Sequence, residues 1–289
     1  MINPKISILT TVYNREKYIA ACIDSVLASS FQDWELIIVD DMSTDTSVAI
    51  AKRYEKKDAR VKLYVNEKNL GDYPNRNKAA SYAKGKYLKY LDADDLIYPQ
   101  GLEIMVHTME QFPETALGIS QKVAEDVKPY PFVMKPKETF TREFLMRGVL
   151  GLGPTGTIMR RDVFEKLGGF TGTRYIGDTE MWHKIAITYP VVKMEDDLIF
   201  WRQHDQQQIV MEQLDLNVIG LRYKHQLSTL KEVKKLFTLN EYQIALKKLK
   251  KRFARGLLRL IFINKKPKKA YQIMKATGFS VIKLLKAFG

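Results

Sequence analysis

The sequence predicts an α/β fold with a parallel sheet, and three observations predict it. Apolar runs of strand length alternate with stretches whose apolar residues recur at helical spacing. Such alternation builds parallel strands joined by right-handed crossovers. Several runs end in carboxylates, most plainly Tyr87-Leu88-Lys89-Tyr90-Leu91-Asp92-Ala93-Asp94-Asp95, and that places acids at the carboxyl edge of the sheet, where open α/β folds bind ligands. Beyond Gln213 the chain reads almost entirely as helix, so a helical extension follows the α/β part.

The elements follow in order. Ile6-Ser7-Ile8-Leu9-Thr10-Thr11-Val12 reads as a buried strand, and a helix starting near Asn14 carries Ile19, Ile23, Val26 and Leu27 on one face. Glu35 to Val39 is a second strand ending at Asp40-Asp41, and Thr44-Asp45-Thr46 caps a helix from about Ser47 to Tyr54. Val61 to Val65 is a third strand. A helix from Asn77 to Lys84 precedes the aspartate-terminated strand, and another spans Gln100 to Gln111. After Pro113 the alternation weakens. Lys128 to Pro136 reads as a proline-punctuated loop, Phe140 to Val149 as a short helix, and Gly151 to Gly156 as a glycine-rich turn. Helices over 162–167 and 178–188 follow. The expected organisation is 1–213 as the α/β domain, with halves 1–112 and 113–213, and 214–289 as a helical tail.

Composition sets bounds. With 289 residues, 45% hydrophobic and 28% charged, the chain is an ordinary globular protein large enough for one α/β domain and an appendage. The single cysteine, Cys22, excludes an internal disulfide and fits a reducing cytoplasm. Met1 to Lys5 lead directly into a strand with no signal-peptide pattern, and no apolar run is long enough to span a bilayer. The net charge of +14 is unevenly placed: residues 241–289 hold 14 Lys/Arg against one acid, Glu241, hence +13, and the other 240 residues are nearly neutral.

Asp92, Asp94 and Asp95 repel one another, so a fold that gathers them commonly supplies a cation. Hard oxygen ligands favour Mg²⁺ or Mn²⁺, which in turn favour phosphate. A solvated acidic turn capping the helix near Pro99 is the other reading.

The series Thr11-Val12-Tyr13-Asn14, Val39-Asp40-Asp41-Met42-Ser43-Thr44-Asp45, Asn69-Leu70-Gly71, Arg76-Asn77 and Leu91-Asp92-Ala93-Asp94-Asp95 resembles the nucleotide-binding half of family 2 glycosyltransferases, which have the GT-A fold. Arg160-Arg161 with Gly168-Gly169-Phe170, Gly177-Asp178-Thr179-Glu180-Met181-Trp182 and Arg202-Gln203-His204 extend the resemblance over roughly 5–205. It implies an inverting, metal-dependent enzyme with a Rossmann-like nucleotide-binding sheet. Asp41 would accept the uracil imide N–H, with Thr11 and Tyr13 at base or ribose. Arg76 would meet the diphosphate, to which a guanidinium fork is suited. Asp92 and Asp94 correspond to the family's DxD pair, Asp92 reaching ribose or metal-bound water. Asp94, Asp95 and His204 are candidate ligands for Mn²⁺ or Mg²⁺, with Asp94 and Asp95 unranked. Asp178 is the candidate base, though it also stands where an N-cap would. Gly177 departs from the glutamate that family members often carry there.

In the tail, Leu246, Leu249, Phe253, Leu257 and Leu260 recur at three- and four-residue spacing among lysines and arginines, and a second helix carries Ile273, Ile282, Leu285 and Phe288. This suits an anionic membrane surface, or a helical hairpin that packs its apolar stripe on the catalytic domain and leaves its lysines in water. No aromatic platform or motif supports nucleic acid as a partner. The expected protein moves a sugar from a nucleotide-diphosphate donor, UDP-linked, to a glycan or lipid-linked acceptor, peripherally on the inner membrane face. A sugar nucleotidyltransferase and a catalytically inactive sugar-binding scaffold are the alternatives. The first would need a glycine-rich basic loop after the first strand, which Thr10 to Asn14 do not form.

Overall fold

The computed structural model describes residues 3–120, 128–204 and 215–287. It divides into two compact units: the chain to Pro136 with Leu150–Gln203, and Lys137–Val149 with His204 and the helices that follow. The expected boundary near 213 thus shifts slightly, and residues 137–149 belong with the C-terminal helices.

In the first unit β1 (Ile6–Val12), α1 (Ile19–Leu27), β2 (Trp34–Asp40), α2 (Ser47–Lys57), β3 (Val61–Val65), α3 (Asp72–Ser81) and β4 (Tyr87–Tyr90) alternate as the sequence predicts. After β5 (Leu96–Ile97) and α4 (Gly101–Gln111) come β6 (Leu117–Ile119), β7 (Phe132–Met134), β8 (Thr157–Arg160), α6 (Arg161–Lys166), α7 (Gly177–Thr188), β9 (Val191–Lys193) and β10 (Ile199–Phe200). Between β7 and β8 the chain passes through α5 (Pro136–Leu145). The main sheet has the order β3-β2-β1-β4-β8-β6-β9-β7, and β5 pairs with β10 separately.

The expected parallel sheet holds for β3, β2, β1 and β4. β8 runs antiparallel to both β4 and β6, and β7 antiparallel to β9. Antiparallel neighbours need no crossover helix, and the weakened alternation after Pro113 is the sequence trace of that change. Residues 128–136 are not simply a loop: Phe132–Met134 form the edge strand β7, where flanking prolines remove no interior ladder bond. Helix α3 begins at Asp72 rather than Asn77, because Gly71 at φ 81° turns the chain there and Pro74 is tolerated in the first turn. One face of the sheet carries Ile6, Ile8, Leu36 and Ile38 in a core they share with Ile23 of α1 and Leu102, Met105 and Met109 of α4.

The first strand β1 lies between β2 and β4. The chain winds outward from β1 to β2 and β3, then returns to β4 on the other side. The crevice above the β1 and β4 carboxyl ends is therefore a topological switch point, the place where such sheets take ligands.

The second unit is helical, with α8 (Val218–Glu232), α9 (Leu239–Leu258), α10 (Pro267–Thr277) and α11 (Val281–Lys286). Thr238 and Glu241 close a capping box on α9. Gly278, at φ 64°, ends α10 and divides what periodicity suggests is one helix into two. Leu249, Phe253, Leu257, Leu260 and Ile273 are buried. Tyr223 of α8 stacks on Phe253 with ring centroids 4.0 Å apart, and Phe279 packs edge-on against both rings. The apolar stripe expected to meet a membrane is thus this unit's own core. Lys137 pairs with Glu241 at 2.6 Å and Lys248 donates to the Leu145 carbonyl at 2.5 Å, tying 137–149 to α9. Phe288 lies outside the described residues.

Candidate active site

The carboxyl ends of β1 and β2 are stitched together. Asn14, at φ 53°, donates its N–H to Ser43 and accepts from the Thr44 N–H. Arg15 N–H reaches Ser47 Oγ, and Glu16 accepts from Thr46. Thr11 is half-buried at the end of β1, and Tyr13 just beyond it is 50% exposed. Asp40 accepts from the Ser43 N–H, the turn chemistry its sequence suggests.

Asp41 is buried, and its carboxylate accepts three bonds. Oδ1 takes the Asn66 side-chain amide and the Leu70 N–H, and Oδ2 takes the Gly71 N–H, each at 2.8 Å. A carboxylate has about four acceptor positions, so one remains, on Oδ2. Asp41 therefore shapes the Asn69-Leu70-Gly71 turn as well as standing at the crevice.

The triplet is held by arginines. Asp92 Oδ1 accepts from Arg76 Nη1 at 2.8 Å, and the buried Arg76 also pairs with Asp72 at 2.7 Å. Asp94 Oδ2 accepts from Arg15 Nε at 3.2 Å. Asp95 is fully buried, with Oδ1 accepting the Arg202 N–H at 3.1 Å, while Arg202 Nε donates to the Asp94 carbonyl. Burial, then the neighbouring Asp92 charge, pushes the Asp95 carboxyl up to about 7. Thr155, in the glycine-rich turn, accepts the Asp92 N–H and hydrogen-bonds the Asp95 carboxylate. Beneath them Lys89 is fully buried and donates to the Thr155 carbonyl; burial pulls its ammonium down to about 7. Cys22 is buried with its thiol toward the Asp92 carbonyl at 3.6 Å.

Asp178 sits in the first turn of α7, half-buried, with the Thr179 N–H on Oδ1 at 2.6 Å. Burial raises its carboxyl to about 6, against the opposing pull of Arg76. Arg76 thus lies in the field of both Asp92 and Asp178 and couples the triplet to α7. Trp182 anchors this helix: it is fully buried and its indole N–H donates to the Leu152 carbonyl at 2.9 Å. Phe170 packs on Trp182, Tyr90 and Tyr73, and its backbone is clamped at both N–H and carbonyl by the Asn77 side chain. That accounts for the Arg76-Asn77 and Gly168-Gly169-Phe170 pieces: one partner sets the other's turn.

Asp92, Asp94, Asp95, Arg76 and Asp178 therefore come together. His204 is half-buried two residues beyond Arg202 and is counted with the helical unit. Among the described residues no group of three or more His, Cys, Asp or Glu side chains is placed to hold a metal by itself. Sequence reasoning passed over Arg15, Thr155 and Tyr73. Thr155 had a signal in the Gly-Pro-Thr-Gly turn, but nothing local marked its partner, because β4 and β8 meet only in the sheet.

The description of glycosyl transferase family 2 matches residues 7–168. The chain belongs to that family. It is 32% identical over 193 residues to a putative glycosyltransferase, EpsE, of Bacillus subtilis, covering 62% of this chain and 66% of that protein. It is 45% identical over 151 residues to the putative teichuronic acid biosynthesis glycosyltransferase TuaG of the same organism, covering 51% and 59%. The chain thus spans less than two thirds of the length of these two relatives. Among solved structures, Staphylococcus aureus TarS 1–349 in complex with UDP-GlcNAc superposes with a TM-score of 0.64 at 16% identity, over 94% of this chain and 91% of that one. The Pyrobaculum calidifontis mannosyltransferase PcManGT, in complex with GDP-Man and Mn²⁺, gives 0.62 at 16% identity over 99% and 79%. At such identity the likeness is one of fold, and the fold is GT-A. Residues 7–168 are thus a family 2 glycosyl transferase domain of the GT-A fold.

Proposed function

We propose that the protein is an inverting, metal-dependent glycosyltransferase that moves a sugar from a UDP-linked donor to a hydroxyl of a glycan or lipid-linked acceptor in cell-surface polysaccharide synthesis. The observation that carries this is the meeting, at one switch point, of the Asp92–Asp95 triplet with a half-buried Asp178 whose proton affinity is raised to about 6. A base poised near the working pH both accepts and releases a proton readily.

The donor lies over β1 and β2 in this reading. Asp41 offers its remaining acceptor position to the uracil imide, Thr11 and the exposed Tyr13 take base and ribose, and Asp92 takes ribose. Arg76 acts by holding Asp92, since its guanidinium donates to two carboxylates, Asp72 and Asp92. A divalent cation with a diphosphate keeps several waters and needs only one or two protein carboxylates. Asp94 fits that role better than the inward, doubly bonded Asp95, and His204 stands as an auxiliary candidate. The cation, Mn²⁺ or Mg²⁺, would neutralise charge on the leaving diphosphate. Asp178 then takes the acceptor hydroxyl proton as that oxygen attacks the anomeric carbon opposite the leaving group. Support for a polysaccharide acceptor comes from the teichuronic acid relative.

A peripheral site on the inner membrane face is part of the proposal. Among the described residues no helix is long and apolar enough to cross a membrane. The exposed set that supports docking is Phe262 at 73%, Ile263 at 71% and Leu285 at 72%, with Tyr271 and Ile282, beside Lys265, Lys266, Lys268 and Lys269. These replace the buried stripe as the residues an anionic surface would meet.

Release of nucleoside diphosphate from a panel of UDP- and GDP-sugars, with and without Mn²⁺, tests the activity. Metal-dependent hydrolysis of UDP-sugars is expected. Absence of hydrolysis and of donor binding favours the scaffold reading, and pyrophosphate-dependent exchange favours the nucleotidyltransferase.

A further inference from the structure

Gly177 precedes the candidate base, and the space in front of it is taken. A Cβ built on Gly177 would lie 2.8–2.9 Å from three ring carbons of Tyr73, inside any real contact. Tyr73 itself is buried, 4% exposed, with its ring 5.2 Å from that of Phe170. Phe170 is in turn fixed by Asn77, one turn further along the same helix α3. The ring therefore has little freedom and is held against the first turn of α7, where its hydroxyl favours the charged Asp178 carboxyl and the Asp178 charge pushes the phenol up.

The geometry points to Tyr73 as the positioning residue for Asp178, its ring filling the space beside Gly177 and its hydroxyl aiming the carboxylate at the acceptor. This rests on the reading of Asp178 as base. The chemistry is specific. A phenol whose ionisation is pushed far upward by burial and by the Asp178 charge remains a donor throughout the working range. A donor to the charged form of a carboxylate favours that form, and the Tyr73 hydroxyl acts on Asp178 in that direction. The other groups that face Asp178 are Arg76, which favours its charge, and Asp72, which opposes it, both on α3, with the Thr179 N–H on its own helix. Without the phenol, Asp178 would keep its proton to higher pH. Gly177 is then not a loss of function at that position but the condition for Tyr73 to stand there, because every other residue brings a Cβ into the ring.

Tyr73→Phe keeps the ring and removes only the hydroxyl. Two readouts decide. Selective ¹³C labelling of aspartate carboxyls, with Asp178→Asn to assign the signal, follows the Asp178 titration without any substrate. A midpoint near 6 in the parent, moving upward in Tyr73→Phe, is expected. In parallel, hydrolysis of UDP-GlcNAc and GDP-mannose in Mn²⁺ should show the acid limb of kcat displaced upward by the same amount, with KM little changed. Should neither donor turn over in the parent, the NMR titration alone decides. An unshifted carboxyl signal in a folded Tyr73→Phe protein, or an unshifted acid limb with parental kcat, overturns the proposal. If Asp178→Asn itself keeps parental turnover, it is the assignment of the base that has failed, which the two variants thereby separate. As a steric control, Gly177→Ala should lower the melting temperature in the parent and lose most of that effect in Tyr73→Leu. Additive effects would overturn the claim that the ring occupies the glycine's space.

Discussion

Asp178→Asn should strengthen the fold while stopping the reaction. Burial raises the Asp178 carboxyl from 3.8 to about 6, so the native state holds this proton more tightly than the unfolded chain. The sign follows from linkage. Between about pH 4 and pH 6 the native state binds more protons than the unfolded one, so stability falls as pH rises through that window and stays lower above it. Two pH units at about 1.36 kcal/mol each set a ceiling of roughly 3 kcal/mol. Partial solvent access reduces this to roughly 1–3 kcal/mol. Asparagine keeps the shape without the charge. Its advantage over aspartate should be small at pH 4, grow to pH 6 and be level by pH 7.5. At that pH the gain corresponds to roughly 2–8 °C in melting temperature for a domain of this size. Turnover should move the other way, by about 10²–10⁴-fold, because an amide cannot accept the proton. Thermal melts of both proteins from pH 4 to 8, with donor turnover at each pH, make the comparison. A variant less stable than the parent at pH 7.5, or a difference that does not depend on pH, refutes the burial argument. Parental turnover in the variant refutes the assignment.

Three further outcomes are expected. Asp94→Ala should lose at least about tenfold in UDP affinity measured by calorimetry in Mn²⁺, and little in its absence, since Asp94 is the proposed cation ligand; equal loss in both conditions would point to general damage. Thr155→Val removes a hydroxyl that serves both the Asp92 N–H and the Asp95 carboxylate, so it should cost roughly 1–3 kcal/mol in denaturant unfolding and lower turnover. Phe262→Asp with Ile263→Asp should abolish sedimentation with phosphatidylglycerol vesicles without changing helix content, because both side chains are exposed; retained sedimentation would place the contact elsewhere.

How much of this was legible in the sequence depended on distance along the chain. The strands β1 to β4 and their acidic ends were readable, because a buried parallel strand leaves a continuous apolar run and its terminal carboxylate follows at once. β8 and β7 were not, since three or four residues between prolines and glycines carry too little period to separate strand from loop. The tail's stripe was read correctly as a helix face, but periodicity shows only that a face is apolar, not what covers it. The cover proved to be Tyr223 and Phe279, one before the stripe and one after it. Arg76 was likewise visible as a functional arginine, yet its partners Asp72 and Asp92 come from its own helix and from a strand end sixteen residues on. Tyr73 had no signal at all. It is one tyrosine of 15, and only its approach to Gly177 sets it apart.

The arginines explain how acids so close in sequence can share one strand end. Asp92, Asp94 and Asp95 each draw a different partner: Arg76 from α3, Arg15 from the β1 loop, and the Arg202 backbone from the end of β10. Each partner arrives on a separate element, so the repulsion within the triplet becomes a restraint on where three loops may lie. The strength of each restraint differs with burial. Arg76 is 8% exposed and joins Asp92 and Asp72, whose side chains are 31% and 24% exposed, so the guanidinium is the buried member on which both carboxylates converge. Contact length differs too: Asp94 meets Arg15 at 3.2 Å, against 2.8 Å for Asp92 with Arg76 and 3.1 Å for Asp95 with the Arg202 N–H, so it is the longest of the three. The acid best placed to change partners is thus the middle one, and the acids on either side of it hold the frame. The same division recurs at Asp178, whose backbone and carboxylate are fixed by Thr179 and Tyr73 while its charge remains balanced between Arg76 and Asp72. At Asp178 the fold fixes the carboxylate's position while burial raises its hold on a proton, which is what the proposed base needs in order to take up a proton rather than merely hold a turn.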